Sequence, residues 1–247
     1  MEGMFFHTSE RMPEIADASA RLVFMSPPFT NNPDGRTLDK SGYLAFLDRV
    51  MTESVRTLLP GGVLVSLNTD LRDHARYNHG DASYDGTVWH KHLAIRNIAE
   101  HHNLSNFDHK IWAKSLKENM YRFSFSHILF YQKSGRRLRP HGRKHAWGFG
   151  PDVWLLEDSM QRRDSKGYTF PDAIHPKIVR RCIDEFTQEG DLVVSPFTGS
   201  GTILAVANDM GRRWVGYEIN KRLKRLIRES VSGPNRPGIY SLYLVTE

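Results

Sequence analysis

The sequence predicts an α/β fold built on a largely parallel sheet. Three observations carry this expectation. Short apolar runs of strand length alternate with stretches whose apolar residues recur at helical spacing. Two of the runs end abruptly, one at Ser26-Pro27-Pro28 and one at Ser195-Pro196-Phe197-Thr198-Gly199-Ser200-Gly201. The length, 247 residues, suits one substantial domain or a domain with a small insert.

Residues 22–25 are apolar and run into two prolines, so they read as a buried strand that stops sharply. Ser41 is placed to cap a helix with apolar positions Leu44, Leu47, Val50, Met51, Val55 and Leu58, ended by Pro60-Gly61-Gly62. Residues 63–67 make a second buried strand. Ile95 falls in a further helix, and residues 107–112 and 127–131 read as two strands able to pair. After Pro176, the residues Ile178, Val179, Cys182, Ile183 and Phe186 share one helical face. Residues 192–194 form a strand, 203–210 a helix stopped by Gly211, and 214–219 a strand. From Lys221 a basic run carries Leu223, Leu226 and Ile227 at helical spacing and reads as the wet side of an amphipathic helix. Residues 239–245 have the pattern of a terminal strand.

Hydrophobic residues make up 39% and charged residues 25%, a globular balance that excludes a disordered or fibrous chain. No apolar run approaches the ~18 residues that span a bilayer. Residues 1–12 carry Glu2, His7 and Glu10 without a long apolar core, so no secretory leader is expected. Cys182 is the one cysteine, which excludes an internal disulfide, a CxxC pair and any multi-cysteine zinc site, and points to a cytoplasmic home. The histidines between His74 and His109 show no metal-ligand spacing, so no metal is predicted. The net charge of +6 is permissive for nucleic acid. It concentrates in residues 133–151, where Lys133, Arg136, Arg137, Arg139, Arg143 and Lys144 meet no acid and are interleaved with His141, His145 and Trp147. Such a stretch is either a nucleic-acid contact or a solvated basic loop.

Two constellations carry chemistry. In the first, a strand, the turn Thr198-Gly199-Ser200-Gly201, a helix and a second strand lead to Glu218. The glycines permit the turn and close approach of a ligand to the main chain. The helix start offers free N–H groups to a carboxylate or phosphate, and an acid ending the next strand can accept from both ribose hydroxyls. Read alone, the Gly-rich turn is a structural turn; with Glu218 it reads as a nucleoside-cofactor site. It is neither a P-loop nor a full GxGxxG, and S-adenosylmethionine suits it better. The second constellation is Ser26-Pro27-Pro28-Phe29. Two prolines remove two N–H donors, which leaves the Ser26 hydroxyl and the Pro27 carbonyl as acceptors for one amino group and the Phe29 ring for stacking. Read alone, it is a stiff turn.

Together the two motifs resemble the amino-methyltransferases of DNA, which methylate the exocyclic nitrogen of cytosine or adenine. Ser26-Pro27-Pro28-Phe29 matches the family's catalytic motif [D/N/S]PP[Y/F/W]. Residues 195–203 resemble its cofactor motif DPFxGSGTT, and residues 211–220 its second cofactor strand. His175-Pro176 and the helix after it resemble the segment preceding the cofactor motif. The chain departs from the family at Ser195, where an acid is usual, at Ile203, where a second threonine is usual, and at His7-Thr8, which align with a GD pair.

The resemblance implies a single domain over 1–247 with a Rossmann-like methyltransferase fold. Its sheet would be mostly parallel with an antiparallel strand, in circularly permuted motif order, with a target-recognition insert at 134–174. It implies S-adenosylmethionine held by Ser195, Phe197, Thr198, Gly199, Ser200, Gly201, Thr202 and Glu218, with His175 and Thr8 beside them. It implies DNA as partner, contacted by Arg136, Arg137, Arg139, Arg143 and Lys144, and a cognate restriction endonuclease as a partner in function. The target base would flip out of the duplex for transfer at Ser26, Pro27, Pro28 and Phe29. A serine opening the catalytic motif resembles the cytosine-amino members, so N4-methylcytosine is the expected product. Carbon-5 methylation needs a cysteine nucleophile, and Cys182 lies on a core-facing helix position instead.

Overall fold

The apolar runs at residues 22–25, 63–67, 127–131 and 192–194 are buried strands in the computed structural model, which describes residues 3–28, 39–72, 88–114, 123–136, 150–156, 162–170 and 173–232. The first half contains β1 (Gly3–Phe5), β2 (Ala20–Met25), α1 (Lys40–Thr57), β3 (Leu58–Asn68), β4 (Leu71–Arg72), β5 (Val88–Trp89) and α2 (Lys91–His101). Then come β6 (Ser105–Ala113), β7 (Phe125–Gln132), β8 (Val153–Leu155), β9 (Arg162–Arg163) and β10 (Thr169–Phe170). The last part is α3 (Pro176–Phe186), β11 (Leu192–Ser195), α4 (Thr202–Asp209), β12 (Arg213–Tyr217) and, after one 3-10 turn, α5 (Lys224–Ser232).

The main sheet has eight strands in the order β1-β12-β11-β2-β3-β7-β6-β8. The five from β1 to β3 are parallel. β7 lies antiparallel between β3 and β6, and β8 runs parallel to β6. The paired strands expected at 107–112 and 127–131 are β6 and β7. From β11 the chain passes through α4 to β12 on one side, and from β2 it passes through α1 to β3 on the other. The crevice outside the carboxyl ends of β11 and β2 is therefore the point where strand order reverses, the usual ligand position in open α/β sheets.

Strand alternation sorts the side chains to two faces. Val23, Met25, Leu64 and Val194 pack with Tyr43, Leu47 and Val50 of α1 and Ile95 and Ala99 of α2. Leu22, Phe24, Val63 and Val193 pack on the other face with Ile178, Val179 and Ile183 of α3 and Ile203 and Val206 of α4. Each fully buried Val, Leu, Ile, Phe or Met among them contributes about 1.5–3 kcal/mol. Cys182 is fully buried in this second layer, and burial pushes its thiol up from the ordinary value, as a core role requires. The basic run from Lys221 is the wet side of α5, with Leu223, Leu226 and Ile227 turned inward.

Three expectations are corrected. The cap of α1 is Asp39, whose Oδ1 accepts from the Gly42 N–H at 2.7 Å, while Ser41 lies inside the helix and donates its hydroxyl to Asp39. A carboxylate is the stronger acceptor at a helix start. Leu58 opens β3 rather than closing α1, because it pairs with Ala20. The strand expected at 214–219 ends at Tyr217, where Glu218 turns to hold the neighbouring loop. The strand expected at 239–245 lies outside the described residues. Among the described residues no helix is long and apolar enough to cross a membrane.

Candidate active site

Both sequence constellations arrive at the crevice. Parallel pairing of Val194 with Val23 brings the end of β11 beside the end of β2, so the Gly-rich loop and the Ser26-Pro27-Pro28 turn leave adjacent strands. The loop is tied down from several sides. Thr198 donates its N–H to Tyr217 O at 2.9 Å. Glu218 accepts from the Gly199 N–H at 2.9 Å through Oε2 and from the Asn220 N–H at 2.8 Å through Oε1. Burial raises the Glu218 carboxyl above its ordinary value, against the hydrogen bonds from Asn220 and Gly199. A carboxylate has about four acceptor sites, so capacity remains for a ligand.

The two loop glycines have different tasks. Gly199 has φ of +54°, and a Cβ there would stand 3.2 Å from the Phe170 ring of β10, which covers the loop. Gly201 has φ of +84° and would place its Cβ 3.1 Å from the Ile227 backbone. Its smallness serves the approach of α5, a correction to the expectation that both glycines make room for a ligand. Ser230 of α5 donates to Ser200 O at 2.9 Å, and buried Arg162 donates to Ser230 Oγ at 2.8 Å. Ser200 and Thr202 join hydroxyls at 3.0 Å, both buried. Phe197 packs against Phe46 at 5.9 Å. The Ser195 hydroxyl is fully buried and has no hydrogen-bond partner among the described residues.

At the proline turn, Ser26 is half-buried immediately beyond β2, and Phe29 lies outside the described residues. The Pro27 carbonyl was expected to wait for a ligand, but it already accepts from Lys91 Nζ at 3.0 Å. The same nitrogen donates to Pro28 O at 2.8 Å, and the Tyr43 hydroxyl donates to Pro28 O at 2.6 Å. Lys91 is 1% exposed, and burial pulls its amine down to about 7, against the opposing pull of Asp70. A buried carbonyl demands a donor, and a proline turn has no N–H to supply one.

Asp70, just beyond β3, gathers the histidines. His92 approaches it through Nδ1 at 2.8 Å and its own N–H at 3.1 Å, and His90 Nδ1 lies at 3.0 Å. His127 Nε2 stands 3.6 Å away. Burial alone would raise the Asp70 carboxyl, but His127 and His92 hold it well below the usual carboxylate range. Potential ligand atoms of Asp70, His92 and His127 lie within 4.8 Å of one another. However, the His92 and His127 rings stack at 3.8 Å with 18° between planes, so their in-plane lone pairs do not converge on one point as metal ligands must.

The remaining expected site residues are more scattered. His175 caps α3 by accepting from the Lys177 N–H at 3.2 Å, and burial with nearby Lys177 and Arg181 lowers it to about 4. Thr8 is exposed and donates to Glu10 at 2.8 Å. It follows β1, which flanks β12 at the carboxyl end of the sheet. Arg136 is exposed beside the Pro60-Gly61 turn, at the end of the sheet remote from the crevice. Arg137, Arg139, Arg143 and Lys144 lie outside the described residues.

Lys91, Tyr43 and Asp70 escaped the sequence reading. One signal was present: Lys91, Ile95 and Ala99 form the buried stripe of α2, so a lysine occupies a core-facing helical position.

Known proteins share this sequence pattern and fold. M.BamHI of Bacillus amyloliquefaciens, a type II methyltransferase, is 27% identical over 225 residues, 85% of this chain and 52% of the relative. The chain thus spans about half the length of that relative. TTHA0409 from Thermus thermophilus superposes with a TM-score of 0.70 at 25% identity, covering 94% of this chain and 97% of the other. The cytosine-N4-specific PvuII DNA methyltransferase shares the fold with a TM-score of 0.70 at 16% identity, over 94% of this chain and 93% of its own. The DNA methylase family model matches residues 20–229, the span that holds both motifs and the switch point between them, and the chain belongs to that N6/N4 family.

Proposed function

We propose that this protein transfers a methyl group from S-adenosylmethionine to the exocyclic amino group of cytosine in DNA, giving N4-methylcytosine. The observation that carries the reading is the meeting of the two motifs at the carboxyl ends of β2 and β11. The residues there fit the cofactor. Glu218 is a carboxylate with acceptor capacity left for ribose hydroxyls, Ser195 has a buried hydroxyl without a partner among the described residues, and Phe170 covers the loop. When bound, the cofactor supplies an electrophilic methyl on a sulfonium.

The chain's own task is then positioning. An exocyclic amine shares its lone pair with the base ring and is a weak nucleophile. Ser26 and the remaining lone pair of Pro27 O accept its hydrogens and turn the nitrogen lone pair toward the methyl group. Phe29 stacks on the flipped base. The serine in the catalytic motif favours cytosine over adenine. Mass spectrometry of nucleosides from DNA treated with protein and cofactor tests this. N4-methylcytosine is expected; N6-methyladenine without methylated cytosine overturns the base assignment.

Within this reading, recognition falls to part of residues 134–174, a span that also gives β8 to the sheet edge and Phe170 to the cover of the Gly-rich loop, and the protein works on DNA in the cytoplasm, in functional partnership with a restriction endonuclease. Neutralising Arg136, Arg137, Arg139, Arg143 and Lys144 together is expected to weaken DNA binding and flatten its salt dependence. Each lost phosphate contact lowers the slope of log affinity against log salt by roughly 0.9. Titrations at several salt concentrations check this, and an unchanged slope makes the segment a solvated loop.

A further inference from the structure

The catalytic turn has a structural problem that neither motif solves. The β2–β3 ladder extends to Met25 paired with Ser66, and one residue later, after Ser26, come two carbonyls that belong to prolines with no N–H of their own. An unmatched buried carbonyl costs free energy, so the turn needs donors from elsewhere. The chain answers with a lysine inside the protein. Lys91 reaches from the first turn of α2 to Pro27 O at 3.0 Å and Pro28 O at 2.8 Å, and Tyr43 of α1 adds a second donor to Pro28 O at 2.6 Å.

The backbone that carries Lys91 is itself clamped. Asp70 bonds His90 on one side of it and both the ring and the N–H of His92 on the other. A carboxylate at a helix N-terminus is favoured by the helix dipole. Asp70 follows β3, and β3 neighbours β2, so the clamp and the turn are referred to the same pair of strands. Lys91 also lies 5.4 Å over the Tyr43 ring, which orients the two donors relative to each other. Two helices, α1 and α2, thus supply donors to the two carbonyl oxygens beyond β2, and Asp70 after β3 holds the start of α2.

We propose that Lys91 is a positioning residue for methyl transfer, whose side-chain nitrogen, with the Tyr43 hydroxyl, holds the Pro27 and Pro28 carbonyls in the direction that the target amino group requires. The proposal rests on the methyltransferase reading above. Pro27 O gives one lone pair to Lys91 and keeps the other for the substrate. Pro28 O takes two donors and is spent on fixing the turn. In this role Lys91 acts through the carbonyls.

The test compares Lys91→Met, which keeps the stem and removes the donor, with Lys91→Gln, which returns a neutral donor on a shorter arm. In single-turnover assays Lys91→Met is expected to slow methyl transfer about thirtyfold, the scale of a small misplacement of reacting groups. S-adenosylmethionine and DNA affinities should stay within about twofold of wild type, and Lys91→Gln should recover a large part of the lost rate. If Lys91→Met does not fold, Tyr43→Phe takes its place, with a slowing of about fivefold expected at unchanged affinities. A folded Lys91→Met variant at the wild-type rate overturns the proposal, as does equal slowing in Met and Gln, slowing that follows lost cofactor binding, or Tyr43→Phe at full rate. A wild-type protein that transfers no methyl group overturns the parent reading, and the proposal falls with it.

Discussion

Replacing Ser26 with alanine is expected to lower the single-turnover rate of methyl transfer about a hundredfold, the cost typical of losing one positioned hydrogen-bonding group. The expectation is sharper than the motif alone would allow. Lys91 already occupies one lone pair of Pro27 O, so the turn has little spare acceptor capacity once the Ser26 hydroxyl is gone. Cofactor affinity should be unchanged, because the Gly-rich loop is held from β12, α5 and β10 rather than from this turn. Rapid-quench measurement of labelled methyl incorporation, with calorimetry of cofactor binding on the same preparation, separates the two quantities. Full activity in the alanine variant would transfer the acceptor role to Pro27 O alone.

The second large effect is expected at Glu218. Its alanine variant loses the acceptors proposed for the ribose and also strips two backbone donors, Gly199 N–H and Asn220 N–H, of their partner. Hydrogen bonds to a charged group contribute about 1.5–3 kcal/mol each, so S-adenosylmethionine affinity should fall at least tenfold, read by calorimetry. The pH dependence follows from burial. The carboxyl stays protonated to a higher pH than the ordinary 4.5, because burial disfavours its charge. Lowering the pH from neutral therefore removes acceptor capacity sooner than for an exposed glutamate, and wild-type affinity should decline over that range. Glu218→Gln, with no proton to gain there, should show no such decline. Unchanged affinity in the folded alanine variant would reject the pocket.

Some departures from the sequence expectation have a common cause. Asp39 displaced Ser41 as a helix cap because a cap is decided by which side chain reaches the free N–H groups, and both types qualify by composition. Gly201 turned out to face α5, a contact made by Ile227 and Ser230, well beyond it in the chain. Spacing along the sequence cannot indicate which distant helix will approach a glycine. His175 became a helix cap, and Thr8 an exposed partner of Glu10, although both stand where the family resemblance put them in order.

The sequence by itself determined the α/β class, the alternation of elements and both chemical motifs, since these rest on local periodicity, proline and glycine geometry and residue order. It also placed Cys182 in the core, because helical spacing is a local property. Only the tertiary structure decided that the two motifs, far apart along the chain, leave neighbouring strands at the reversal of strand order, because parallel pairing of β2 with β11 is a long-range choice. It alone brought Lys91 to the prolyl carbonyls and gathered His90, His92 and His127 around Asp70. A lysine in a helical stripe looks unfavourable on its own. It becomes favourable only where folding supplies buried oxygens that need its donors, and that match exists in three dimensions and nowhere along the chain.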